Sequence, residues 1–200
     1  MDILIGATAN CSNGTAGQVT QLIADRASMR VTHVVVKEAR RPHGERMVPF
    51  GMVQRSRGHA VRLRCSGLEL STMQPATRTE LVESEALVHG GSSYHDHSIY
   101  SLPRLREAEY QNLAETECAL GANTRVRATD GNAGRLAGLT VEPASGDITH
   151  VLFQHRQSRL LRTLTMPVAA IAEMSSGVVY VRSSRDSLME LPPASAQTRR

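Results

Sequence analysis

Histidine, carboxylate, cysteine and arginine are the residues able to do chemistry in this chain, and few of them stand at useful spacings. His89, His95, Asp96 and His97 form the one ligand-like group. Imidazole and carboxylate suit zinc, nickel or copper, and the Gly/Ser-rich stretch around them could fold about an ion. Histidines two apart on a loop also arise without any ion. The solvated-loop reading is favoured, so no cofactor or metal is expected. His33 and His150 each follow a threonine, in Thr32-His33 and Thr149-His150. They are either a pseudo-symmetric pair at an interface between like units, sensitive to pH, or half-buried strand histidines bonded to a neighbouring backbone or turn group. The second reading is favoured.

The remaining candidates for chemistry are weaker. No Gly-x-Ser-x-Gly elbow occurs, and none of Cys11, Cys65 and Cys118 has a His-bearing signature nearby. The chain is therefore read as non-enzymatic. Three widely spaced cysteines make neither a disulfide framework nor a zinc pattern, and they suit a reducing cytoplasm. Gly14, Gly17, Gly131 and Gly134 lack the following helix and Lys-Ser/Thr of a phosphate loop, so they read as turn glycines. Arg55, Arg57, Arg62 and Arg64 crowd one stretch, and Arg156, Arg159 and Arg162 another. Arg62 and Arg64 alternate with Val61 and Leu63 and so share one strand face that could meet phosphates. Stacking aromatics are nearly absent, which favours a solvated face over single-strand RNA recognition.

Composition sets the frame that must hold these residues. Of 200 residues, 40% are hydrophobic and 21% charged, enough to bury a core. With no Trp, 2 Phe and 4 Tyr, that core must be aliphatic. No apolar run is long enough for a membrane-spanning helix, and the first residues lack the basic and apolar regions of a signal peptide. The net charge of +4 is uneven: +5 over 1–75, −5 over 76–120 and +4 over 121–200. Lys37 is the only lysine, a bias ascribed to codon composition rather than to function.

A repeat organises the chain. Asn13-Gly14-Thr15-Ala16-Gly17-Gln18-Val19 matches Asp130-Gly131-Asn132-Ala133-Gly134-Arg135-Leu136 at an offset of 117. The same register carries Val31-Thr32-His33-Val34-Val35-Val36 onto Ile148-Thr149-His150-Val151-Leu152-Phe153. After one inserted residue the offset is 118, pairing Pro49 with Pro167 and Val61–Ser66 with Val179–Ser184. Each copy reads as short strands between turns: a hairpin at Asn13-Gly14 or Asp130-Gly131, a β-branched run, and a strand ending at Pro49 or Pro167. Strands at 8–12-residue spacing point to a small barrel. Val34-Val35-Val36 and Val151-Leu152-Phe153 are apolar on both faces, so each run is expected to be buried on both.

The pattern of an Asp/Asn-Gly turn, x-x-Gly-x-hydrophobic, an acidic turn, hydrophobic-Thr-His-hydrophobic and x-Pro resembles the PRC-barrel family. That family is named after the cytoplasmic barrel of the photosynthetic reaction-centre H subunit, and it includes the C-terminal barrel of ribosome maturation factors. The second copy matches better, since the first has Met29 where Gly146 stands and Arg26 where Pro143 stands. The resemblance implies an all-β chain of two small barrels in tandem, at 1–75 and 121–193. An irregular acidic linker over 76–120 and a disordered tail over 194–200 complete the expectation. Leu81–Val88 reads as a strand or a short helix, and Pro103 as the opening of a helix through Leu105 and Tyr110. Gly14, Gly17, His33, Pro49, Gly131, Gly134, His150 and Pro167 are then structural or interfacial residues. By resemblance the function is a scaffold for an unknown protein partner, with self-association open and a place beside a membrane-bound or electron-transfer complex. The alternatives are an RNA- or ribosome-associated factor and a metal or small-ligand sensor using the His-rich loop.

Overall fold

The computed structural model describes residues 1–39, 44–89, 99–157 and 160–194. Among the described residues the chain is all-β apart from two short helices and two single 3-10 turns. The first copy contains β1 (Asp2–Leu4), β2 (Thr8–Cys11), β3 (Gly14–Asp25), β4 (Arg30–Glu38), β5 (Glu45–Pro49), β6 (Val53–Arg57), β7 (Ala60–Leu63) and helix α1 (Gly67–Thr72). Two long strands follow, β8 (Thr77–His89) and β9 (Ile99–Gln111). The second copy contains β10 (Glu117–Gly121), β11 (Arg125–Ala128), β12 (Gly131–Val141), β13 (Ile148–Gln157), β14 (Leu160–Pro167), β15 (Ile171–Ser175), β16 (Val178–Val181) and helix α2 (Arg185–Met189). Every element of the first copy has its counterpart in the second at the sequence offset, down to the 3-10 turns after Pro49 and Pro167.

Each copy forms one sheet, completed by a strand from the other copy. The order is β5-β4-β3-β2-β7-β6 in the first and β14-β13-β12-β11-β16-β15 in the second, antiparallel except where β2 meets β7 and β11 meets β16. Register shifts fall at matching places, after Val19 in β3 and after Leu136 in β12, and a bulge of this kind raises the local twist of a strand. Neither sheet closes into a barrel. The free edge of β5 is met by the chain at Gln74-Pro75, where the Met47 amide donates to the Gln74 carbonyl. The edge of β14 is met likewise at Pro192-Pro193. These edges are thus covered by irregular chain rather than paired with β6 or β15.

The copies exchange their first strands. β1 pairs with β12, placing Ile3 opposite Leu139, and β10 pairs with β3, placing Leu120 opposite Leu22. All four side chains are fully buried. The turns between the long strands interlock in the same way. The Val31 amide donates to the Gly146 carbonyl and the Ile148 amide to the Met29 carbonyl, both at 2.9 Å. This reciprocity relates the copies by a pseudo-twofold axis, and one continuous aliphatic core runs through both. Met29 holds φ 53° where its counterpart Gly146 holds φ 80°. The methionine therefore occupies a left-handed backbone that its glycine counterpart adopts without a Cβ penalty.

Both faces of the β-branched runs are covered, as expected from their composition. Val34, Val36, Val151 and Phe153 belong to the shared core, and Val35 and Leu152 are also buried, on the other side of the strand. Gly17 and Gly134 are fixed by close approach: a Cβ on either would fall on the carbonyl oxygen of Lys37 or Gln154 in the neighbouring strand.

The repeats and the intervening segment divide differently from the sequence boundaries. Met1–Pro75 and the chain from Leu113 on form one compact unit, and Ala76–Asn112 forms a second. The irregular linker expected over 76–120 is instead a two-stranded antiparallel ribbon, with β8 and β9 in register from Thr77↔Gln111 to His89↔Ile99. Pro103 opens no helix; it lies within β9 opposite Glu85. Each strand of a two-stranded ribbon has one unpaired edge, where a missing N–H costs nothing. Residues 195–200 of the expected tail lie outside the described residues, while the Ala194 amide donates to the Thr163 carbonyl. Among the described residues, no helix is long and apolar enough to cross a membrane.

Candidate functional site

The Thr-His pairs sit at matching places in the two sheets. His33 faces Ile23 on one side and Pro49 on the other, and His150 faces Thr140 and Pro167. In each pair the ring Nδ1 lies against the preceding threonine hydroxyl, at 3.1 Å in Thr32-His33 and 3.2 Å in Thr149-His150. The Thr149 hydroxyl donates to the Thr140 carbonyl at 3.1 Å. The Thr32 hydroxyl lies 3.4 Å from the matching Ile23 carbonyl but has a shorter contact, 2.6 Å, to Glu117 Oε1, and that carboxylate also lies 3.7 Å from His33 Nδ1. Glu117 opens β10, the strand given to the first sheet. Among the described residues, His150 has no carboxylate within 4.0 Å of its ring nitrogens. Sequence reasoning missed this partner because nothing local links 33 to 117; only the strand exchange does.

The other expected residues hold the scaffold. Gly14 and Gly131 follow the β2–β3 and β11–β12 turns with φ of 125° and 137°. Pro49 and Pro167 close β5 and β14 and lead into the 3-10 turns. Of the ligand-like group, His89 ends β8, and His95, Asp96 and His97 lie outside the described residues. Arg159 lies outside them too.

The cysteines are free thiols and all buried. Cys11 Sγ and Cys65 Sγ are 3.6 Å apart. Burial, and after it the neighbouring Cys65, together push the Cys11 thiol up to about 12. Burial likewise holds the Cys118 thiol up at about 11. Both are therefore protonated at neutral pH and poor nucleophiles.

Two features stand out on the surface. The first is the β8–β9 ribbon. Within its described side chains Leu81 and Leu105 are 67% and 66% exposed, and Val82 and Tyr110 are also exposed. The register puts Leu81 opposite Glu107 and Leu105 opposite Glu83, so both leucines share one face with these carboxylates. The second is an open cavity of about 550 Å³ beside β2, β6 and β7, lined by Asn10, Cys11, Ser12, Gly14, Arg55, Arg57, Ala60 and Arg62. Sequence reasoning noted its arginines but took them as a solvated strand face.

In comparisons with known proteins, no family model matches the chain, and no curated protein matches it.

Proposed function

We propose that the chain is a non-catalytic protein-interaction module, made of two PRC-like β units whose sheets stay open, that engages its partner through the β8–β9 ribbon. The observation that carries this reading is the ribbon itself. A lone two-stranded sheet is marginal in water and ordinarily needs a third strand or a packed face. Here both strands are 13 residues long, and large apolar side chains on the described part stay exposed. Unpaired strand edges beside exposed leucines are the surface that strand addition by a partner uses. The fused pair of repeats supports a scaffold role, since its shared residues are turn glycines, prolines, core aliphatics and the Thr-His pair rather than a nucleophile with a base. The three cysteines, free rather than disulfide-bonded, suit a reducing compartment such as the cytoplasm.

The test compares wild type with a Leu81→Ser/Leu105→Ser variant, both tagged and used to capture partners from native lysate. Matching circular dichroism and melting temperature establish that the variant folds. A protein retained by wild type and lost from the variant supports the reading. An identical set on both forms, or none on either, overturns it.

A further inference from the structure

We propose that the cavity between Arg55, Arg57 and Arg62 is a binding site for a small phosphate-bearing anion, held through a di- or triphosphate group. Strand register brings the three arginines together. Arg55 stands directly opposite Arg62 across the β6–β7 pair, Arg57 lies two residues further along β6 on the same face, opposite Ala60, and Asn10 lies beside Arg62 in the parallel β2–β7 pair. Like charges directly opposite each other in a sheet are destabilising. Among the described residues, none of the three guanidinium groups has an ion-pair or hydrogen-bond partner, and no carboxylate lines the cavity. The nearby Glu69 is committed to capping α1, where its carboxylate accepts from the Ser66 amide at 2.6 Å.

The rest of the lining offers donors. Asn10 Oδ1 already accepts from the Thr15 hydroxyl, which leaves its amide NH2 to donate, and Ser12 adds a hydroxyl. An all-donor wall of three planar forks suits several anionic oxygens at once, which a di- or triphosphate presents and a single carboxylate does not. The volume suits a ligand of nucleotide size. No aromatic ring lines the cavity, so the phosphates rather than a base are what it recognises.

The second copy supplies an internal control on the same backbone. Glu173, Ser175 and Tyr180 stand where Arg55, Arg57 and Arg62 stand in the first, and Glu173 faces Tyr180 across the β15–β16 pair. Ala128 replaces Cys11 and Arg127 replaces Asn10. One arginine beside one glutamate is neutral, whereas the first copy carries three unneutralised positive charges. The fold therefore does not require this cluster. It stands only in one copy and works against its own strand pairing until an anion neutralises it.

The experiment is titration calorimetry of the full chain with pyrophosphate, ADP, sodium acetate and a single-stranded RNA 20-mer at fixed ionic strength. Wild type is set beside Arg62→Gln, Arg55→Gln/Arg62→Gln and the second-copy control Arg127→Gln. The expected result is one saturable site for pyrophosphate and for ADP, with none for acetate. Affinity should fall at least about tenfold in Arg62→Gln and stay unchanged in Arg127→Gln. Pyrophosphate should raise the melting temperature of wild type and not of the double variant, and without ligand Arg62→Gln should melt no lower than wild type. Absence of binding up to millimolar pyrophosphate overturns the proposal. Equal loss in Arg127→Gln, ADP binding without pyrophosphate binding, or binding of the RNA alone overturns it as well.

Discussion

A glycine-to-alanine change at 138 tests the strand exchange. Leu4 and Gly121 are counterparts in the repeat, as are Gln21 and Gly138. The pairing sets Leu4 against Gly138 and Gly121 against Gln21, so each crossing has one glycine, supplied from opposite strands. A Cβ at Gly138 would fall on the Ile3 carbonyl oxygen and lie 2.9 Å from Leu4 Cα, both backbone atoms that cannot turn away. A Cβ at Gly121 meets Gln21 Cγ at 3.3 Å, the stem of a flexible side chain. Gly138→Ala must therefore push β1 off β12. The ceiling is the loss of Ile3 burial, about 2–3 kcal/mol, plus flanking hydrogen bonds such as Val141 amide to Met1 carbonyl and Ile5 amide to Ala137 carbonyl, each about 1 kcal/mol net. Partial relaxation leaves an expected cost of about 2–4 kcal/mol, whereas Gly121→Ala should stay within about 1 kcal/mol of wild type. Urea denaturation followed by circular dichroism gives both values, and amide exchange at Ile3–Ile5 reports β1 directly. Equal costs for the two variants, or undiminished protection of β1 in Gly138→Ala, would refute the reasoning.

Val35→Asp and Leu152→Asp each place a carboxylate in a fully covered position on the outer side of the β-branched runs. Lost burial and an unpaired buried charge together exceed about 4 kcal/mol, so both variants should be recovered unfolded or aggregated, and a soluble Val35→Asp with native circular dichroism would contradict the two-faced burial. Asp25 accepts from the Ser28 amide, the Thr116 hydroxyl and the Ser28 hydroxyl, which lower its carboxyl from 3.8 to about 2. A depressed folded-state value means its stabilisation is present above about pH 4 and lost as pH falls toward 2. Asp25→Asn should therefore melt below wild type at pH 7, with the gap narrowing from about pH 4 and closing as pH falls through about 2; a difference unchanged across that window would rule the linkage out.

Much of the architecture is legible in the sequence because it rests on local chemistry. The Asn13-Gly14 and Asp130-Gly131 turns, the β-branched runs and the prolines at 49 and 167 fix the strands and their order, and the constant offset fixes that there are two copies. Composition also predicts burial on both faces at Val34-Val35-Val36, since no polar alternation exists to leave one wet. The segment around Leu81 and Pro103 was ambiguous because a short apolar run has no period of its own. Pairing over 13 residues settled it as a ribbon, and pairing is a property of two strands together. The strand exchange was hidden for the same reason. Asp2–Leu4 and Glu117–Gly121 carry too few residues to reveal a partner, and each is held by pairing that sets its apolar residue against a buried leucine, Ile3 against Leu139 and Leu120 against Leu22. That exchange brings Glu117 to Thr32 and His33, while cross-strand register sets Arg55 against Arg62. Sequence determined which side chains are present and which local elements form; tertiary structure alone decided which distant charges become neighbours, because register is fixed only when the whole sheet buries its apolar face.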